Sequence, residues 1–204
     1  MFTTKEKIER ALGVKLGLKA YRSATPKSAM AKRPFRPGMH GKARRKALSE
    51  TGLQLMEKQK IRYTYGISET YLKNLFFRAN KSKMSTSVAI LQLLESRLDN
   101  VIYRLGLAAS RAIARQLVSH GHITVNGRKV TIPSREMKVG DIVAIREQSK
   151  THPLFADLPN TIKRHEAPVW LEIDKDKLQG KVTAKPKDVE SPFEINIVVD
   201  YYAK

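Results

Sequence analysis

The sequence has no cysteine, a single tryptophan and few acids for its length: 19 Asp and Glu against 39 Lys and Arg in 204 residues. Without cysteine there is no disulfide, thiolate zinc site, iron–sulfur cluster or cysteine nucleophile. No apolar run approaches the ~18 residues that a membrane-spanning helix requires. The opening residues carry Glu6 and Glu9 and no apolar stretch, so neither a secretory signal nor a typical transit peptide is expected. Catalytic signatures are missing too: no phosphate-cradling Gly-rich loop, no H-E-x-x-H and no G-x-S-x-G. The five histidines (40, 120, 122, 152 and 165) never pair at i, i+4. These absences argue against an enzyme and imply neither cofactor nor metal. What is present is a 41% hydrophobic content, enough for a folded core, and a formal net charge of +20.

That charge is unevenly placed. Residues 1–135 hold 28 basic and 7 acidic residues, whereas 136–204 hold 11 basic and 12 acidic. From Arg10 to Ser49 there are twelve Lys and Arg and no acid; from Asn100 to Arg135 there are six and again no acid. Solvated faces ordinarily mix both signs, and long one-sign stretches repel themselves unless a polyanion neutralises them. Nucleic acid is the leading partner. An anionic membrane surface is the weaker alternative, because the basic residues do not define a long amphipathic helix with large apolar anchors.

Residues 20–47 combine three prolines and two glycines with many cations. They read as an extended basic arm that orders on RNA and ends near the Pro37-Gly38 turn. Its candidate contacts are Arg33, Arg36, His40, Lys42, Arg44, Arg45 and Lys46. Ser49 is a good N-cap for a helix in which Leu53, Met56 and Ile61 recur at near-helical spacing until Gly66. The opposite face of that helix carries Lys58, Lys60 and Arg62 as further candidates. Ser68 caps a second helix with an apolar stripe of Leu72, Leu75, Phe76 and Ala79. Thr86 or Ser87 caps a third, with Val88, Leu91, Leu94 and Leu98 expected to point inward.

The segment after it carries the sharpest pattern. Val101, Ile102 and Leu105 close a helix at Gly106, and Ser110 caps the next, RAIARQLVSH. At 100° per residue, Ile113, Leu117 and Ala114 lie about 200–300° from Arg111, while Arg115 and Ser119 lie at about 40° and 80°. One face is therefore core and the other is Arg111, Arg115 and Ser119, flanked by Gln116. Asn126-Gly127 between two β-type runs is a strong signal for a type I′ hairpin turn, and it brings Arg128 and Lys129 beside the helix. The N-terminus at Ser110 offers N–H groups and a positive dipole to a phosphate. His120 and His122 sit at the helix–strand junction, where a backbone or phosphate contact is favoured over metal ligation. Arg97 and Arg104 are further candidate RNA contacts, and Asp99 is expected to orient one of them or to cap a turn.

Gly140-Asp141 supplies another turn, followed by a strand, IVAI. Further on, KTHPLFADLPN is loop-like or loosely helical, PVWLEID has strand character, LQGKVTAKPKDVESP reads as a hairpin then a loop, and INIVVDYY is a strand or a short helix.

Residues 94–130, LESRLDNVIYRLGLAASRAIARQLVSHGHITVNGRKV, closely resemble the S-four RNA-binding domain. The stretches PGMHGKARRKALSETGLQLMEKQKIRYTYGI (37–67) and WLEID (170–174) extend the resemblance to the bacterial-type small-subunit ribosomal protein S-four family over nearly the whole chain. The resemblance implies an α+β architecture: a basic arm (1–47), a helical domain (48–96) completed by 185–204, and an inserted α/β RNA-binding domain (97–184) with a helix-helix-hairpin and a small antiparallel sheet. It also implies a cytoplasmic, ribosome-bound constituent of the small subunit. Such a protein binds the 5′ region of small-subunit ribosomal RNA, nucleates assembly of the subunit body and contributes to translational accuracy. Its implied partners are that RNA, neighbouring small-subunit proteins and messenger RNA where it enters, with no membrane. Many family members hold zinc with four cysteines near the N-terminus; here the matching positions are Glu6, Glu9, Ser23 and Ser28, a poor tetrahedral zinc set. The expectation is no metal, and an arm fixed by packing and by RNA.

Overall fold

The computed structural model describes residues 6–19, 25–44, 47–163, 165–187, 189 and 191–203. In chain order its elements are α1 (Glu6–Leu12), α2 (Ala29–Lys32), α3 (Glu50–Tyr65), α4 (Glu69–Asn80), α5 (Thr86–Glu95), α6 (Leu98–Arg104), α7 (Arg111–Ser119), β1 (Ile123–Val125), β2 (Arg128–Lys129), β3 (Ile142–Ile145), α8 (Leu158–Lys163), β4 (Leu171–Asp174), β5 (Gln179–Val182) and α9 (Ile195–Ala203). The architecture is mixed α+β. It divides into Met1–Ile90 with Val189–Lys204, and Leu91–Asp188.

In the first unit, α1 organises its neighbours through side chains bonded to backbone. Glu9 is almost fully buried, and its Oε1 accepts from the amides of Leu16 (2.9 Å) and Leu18 (3.2 Å). Glu6 Oε2 accepts from Ala29 N at 2.8 Å, the first residue of α2. Arg10 Nε donates to the carbonyls of Arg33 (2.9 Å) and Phe35 (3.0 Å), and its guanidinium lies 5.2 Å from the centre of the Phe35 ring. The expected extended arm is thus corrected over its described part. It contains a short helix and is clasped, because one face of α1 supplies two acceptors and one donor to backbone groups that would otherwise lack partners. Among the described residues no three His, Asp or Glu side chains are arranged to hold a metal ion. Ser23, Arg45 and Lys46 lie outside the described residues. Glu9→Ala removes the acceptor for two amides and is expected to destabilise this region by about 1–3 kcal/mol. Hydrogen exchange at Leu16 and Leu18 checks it: the Ala variant should exchange faster than Glu9→Gln, which keeps an acceptor.

Helix starts follow the serines. Ser49 Oγ accepts from Gly52 N (3.2 Å) ahead of α3, and Ser68 Oγ from Tyr71 N (3.2 Å) ahead of α4, each taking up an amide that the first turn leaves unpaired. Helix α5 begins behind Ser85, whose carbonyl accepts from Ala89 N, so neither Thr86 nor Ser87 is its cap. Leu72, Leu75, Phe76 and Ala79 are buried as the stripe predicts, but Val88 and Leu53 are more than 40% exposed.

The segment INIVVDYY forms a helix, α9. It packs on the side of α3 whose Lys58 and Lys60 the charge pattern had offered as candidate RNA contacts. Lys58 is consequently buried, with Nζ 2.8 Å from Glu69, 3.1 Å from the Tyr201 hydroxyl and 4.2 Å from that ring's centre. Lys60 is buried against Glu57, whose Oε2 accepts from Glu194 N (3.0 Å) just ahead of α9. The Tyr202 hydroxyl donates to Glu69 at 2.9 Å.

Burial alone would raise the Glu69 carboxyl, but hydrogen bonds from Lys58 and Tyr202 outweigh it and hold the group below its usual value of 4.5. Burial and the bond to Glu69 push the Tyr202 phenol well above its ordinary 10.0. A lowered carboxyl stabilises the fold above its unfolded pKa, and that stability is lost as pH falls through the folded pKa. A raised phenol stabilises below its unfolded pKa and is lost as pH rises through the folded one. Thermal melts are therefore expected to drop below about pH 4.5 and again above about pH 10. Tyr202→Phe should cost about 1 kcal/mol at neutral pH and flatten the acid-side drop.

In the second unit all strands pair antiparallel in the order β2-β1-β3-β5-β4. Alternation directs Ile123, Val125, Val143, Ile145, Leu171 and Val182 into one core with Leu98, Ile102, Leu105, Leu117 and Val118 of the helices. Gly180 sits where β5 passes closest to α6: a Cβ there would lie 2.4 Å from Leu105 Cδ2. The second hairpin joins β4 to β5, so its first arm is LEID and not part of LQGKVTAKP. The stretch KTHPLFADLPN becomes a 3₁₀ turn at Pro153–Phe155 and the start of α8.

Candidate nucleic-acid interface

The start of α6 is fixed by the loop before β3: Leu98 N donates to Arg135 O (2.8 Å), Asp99 N to Pro133 O (3.1 Å), and Met137 N returns a bond to Ser96 O (2.7 Å). Gly106, at φ +73°, ends the turn after α6 against His165; a Cβ there would come within 2.6 Å of that imidazole. His165 Nε2 in turn donates to Arg104 O at 2.8 Å. Ser110 is buried, with its Oγ accepting from Ile113 N (3.3 Å), so its role is to cap α7. Helices α6 and α7 are thereby locked side by side.

Two acids take up four arginines between them. Glu95 is fully buried, and its Oε2 accepts from Arg104 Nε (2.9 Å) and Asn100 Nδ2 (2.8 Å), with Arg111 Nη2 at 3.8 Å from Oε1. Asp99 accepts from Arg97 through both oxygens (3.0 and 2.8 Å) and from Arg115 Nε and Nη2 through Oδ2 (3.2 and 2.8 Å). Arg111 Nε donates to Asn100 Oδ1 at 2.7 Å, with its guanidinium 4.5 Å from the Tyr103 ring centre. The side chains differ in reach: Arg97 is 4% exposed, against 17% for Arg111, 27% for Arg104 and 31% for Arg115. Asp99 does orient Arg97, but Arg104 belongs to Glu95. Two carboxylates under four guanidiniums leave a positive excess at the rim.

Gln116 and Ser119 on α7 and His120 at its C-terminal end are exposed, as are Arg128 and Lys129 of the hairpin, where the Lys129 side chain lies against Gly121 just after α7. The turn has φ +50° at Asn126 and +76° at Gly127, the left-handed pair that a type I′ hairpin needs. The Asn126 amide, however, is engaged internally: Nδ2 donates to Asp141 Oδ1 (2.8 Å) and Oδ1 accepts from Ile142 N (2.9 Å). It fixes the turn rather than reaching outward. His122 lies between His120 and His152, with Nδ1 3.0 Å from Ser149 Oγ. Burial, then the neighbouring His152 and His120, lowers its pKa below 6.5.

In the first unit Arg33, Arg36, His40, Lys42 and Arg44 are exposed, whereas Lys58 and Lys60 are not. Arg62 is half-buried, with Nη1 3.4 Å from Gln59 Oε1. Sequence reading missed Glu95 and Asn100. The available signal was the pair of acids, Glu95 and Asp99, at the edge of the acid-free stretch Asn100–Arg135, which holds five arginines.

Comparison with known proteins matches residues 2–95 to the family described as ribosomal protein S4/S9 N-terminal domain, and residues 96–143 to the S4 domain. Curated relatives extend over the chain. A small ribosomal subunit protein uS4A of Alkaliphilus metalliredigens is 49% identical over 197 residues, covering 96% of this chain and 94% of its own. The uS4 proteins of Acetivibrio thermocellus (49%; 96% and 94% covered) and Solidesulfovibrio magneticus (46% over 200 residues; 97% and 96%) are similar.

Proposed function

The chain belongs to the uS4 family of small ribosomal subunit proteins, and from that premise we propose how it meets its RNA. It is a structural, ribosome-bound, rRNA-binding constituent of the small subunit, not an enzyme, with rRNA and ribosomal proteins as its partners. The observation that carries the interface is the cluster of Arg104, Arg111 and Arg115 around two buried acids, with exposed Gln116, Ser119 and His120 along the same helix and at its end and exposed Arg128 and Lys129 on the following hairpin. A-form RNA presents phosphates and 2′-hydroxyls to side chains, since its major groove is too narrow to read, and this rim offers charged forks and small donors to that framework.

The exposed arm cations Arg33, Arg36, His40, Lys42 and Arg44, continued by Arg45 and Lys46, form a second contact, with Arg62 beside the helical body. Two contacts on one chain raise the effective concentration of each for the other. Ser110, Asn126 and Gly127 serve by shaping the rim. Arg97, Lys58 and Lys60 serve from within it and within the helical body. Functionally the chain divides into the arm 1–47, a helical domain 48–96 with 185–204, and an RNA-binding domain 97–184. The RNA bound is the 5′ region of small-subunit rRNA, taken early, so that binding nucleates the subunit body and contributes to decoding accuracy. Messenger RNA passes nearby.

Hydroxyl-radical footprinting on full-length small-subunit rRNA tests this. Protection concentrated in the 5′ region, retained at salt that strips loose binders, supports the reading; protection scattered over the transcript rejects it.

A further inference from the structure

An RNA-binding protein that keeps two acids beneath its RNA-facing arginines works, on simple charge grounds, against itself. Both acids are buried, Glu95 at 0% and Asp99 at 3% exposure. Each binds one arginine through two nitrogens and reaches a second on α7: Arg104 and Arg111 for Glu95, Arg97 and Arg115 for Asp99. Asn100 braces the Glu95 system, donating to Glu95 and accepting from Arg111. Arginine carries much rotamer entropy, which an unrestrained surface side chain loses on gripping a phosphate.

We propose that Glu95 and Asp99 are positioning residues for RNA binding: they hold the forks of Arg104, Arg111 and Arg115 in place before RNA arrives. The cost of ordering these side chains is met in folding rather than in binding. This rests on the rim being the RNA interface, and it adds which residues set its geometry. The acids do not touch RNA. Their own charge is spent against arginines, and the side chains of Arg104, Arg111 and Arg115 stay partly exposed.

The test uses the full chain and a transcript of small-subunit rRNA. In the wild-type protein, the side-chain Nε–Hε signals of Arg104, Arg111 and Arg115 should be as ordered on the nanosecond scale as the backbone, unlike that of Arg128. Mobility equal to Arg128's overturns the proposal without any variant. Glu95→Gln and Asp99→Asn each remove a negative charge, so charge alone predicts tighter RNA binding. Positioning predicts the opposite: about 3- to 10-fold weaker binding, with those Nε–Hε signals averaged and backbone shifts of β1 and β3 unchanged. Asp99→Glu, which keeps the charge but displaces it, should also weaken binding. In an Arg111→Ala/Arg115→Ala background, Asp99→Asn should add little. Equal or tighter binding by the folded acid variants overturns the inference. If removing Arg111 and Arg115 itself leaves affinity unchanged, it is the interface assignment that fails.

Discussion

Replacing Arg111 and Arg115 together by alanine is expected to weaken binding to small-subunit rRNA roughly 10- to 100-fold, about 1 kcal/mol per arginine. The slope of log K against log salt should fall by about 2, because each lost phosphate contact stops releasing about one counterion. The fold should survive. Glu95 keeps Arg104 and Asp99 keeps Arg97, so neither buried carboxylate is left without a cation. Filter binding across a salt series, beside a thermal melt, measures both quantities; an unaltered slope would remove these residues from the interface.

The second large effect is on stability. Gly180→Val is expected to destabilise the Leu91–Asp188 unit by about 3 kcal/mol. Even the first added carbon would meet Leu105 at 2.4 Å, and Leu105 is fully enclosed, so the core must shift to admit it. Strand β5 cannot retreat, being paired on both sides by β3 and β4. Shortening the opposing side chain in a Gly180→Val/Leu105→Ala double variant should recover part of the loss. Melting of the two single variants and the double variant gives the coupling; strictly additive losses would mean that the two positions do not clash.

Local chemistry explains what was legible in the sequence. Ser49, Ser68 and Ser110 cap helices because a short hydroxyl side chain serves its own helix start, which needs no knowledge of the rest of the fold. The same holds for Asn126-Gly127, whose positive φ values are a property of the dipeptide. The apolar and cationic faces of α7 follow from periodicity alone. Lys58 and Lys60 were misread for the opposite reason. Their environment depends on α9, more than 130 positions away, and no pattern within α3 announces a cover that brings Tyr201 to Lys58 and the Glu194 amide to Glu57. The segment of α9 was itself ambiguous, since eight mostly apolar residues fit either a strand or a helix until a docking surface chooses. Glu6 and Glu9 were read by what they replaced, a thiolate pattern. Their acceptance of backbone amides could be seen only once α1, the following turn and α2 were placed together. Glu95 was overlooked because a lone acid at a helix end is unremarkable until four guanidiniums converge around it and Asp99.

The first unit is built from both ends of the polypeptide. Its closing helix, α9, is translated only after the whole of Leu91–Asp188 has been synthesised. At ~5–20 residues per second, the 204 − 90 = 114 residues beyond Ile90 take about 6–23 s to make. Throughout that interval the nascent chain holds Lys58 and Glu57 without their C-terminal partners. The helical unit is therefore sealed only once α9, which follows every strand of the sheet in the chain, has been made.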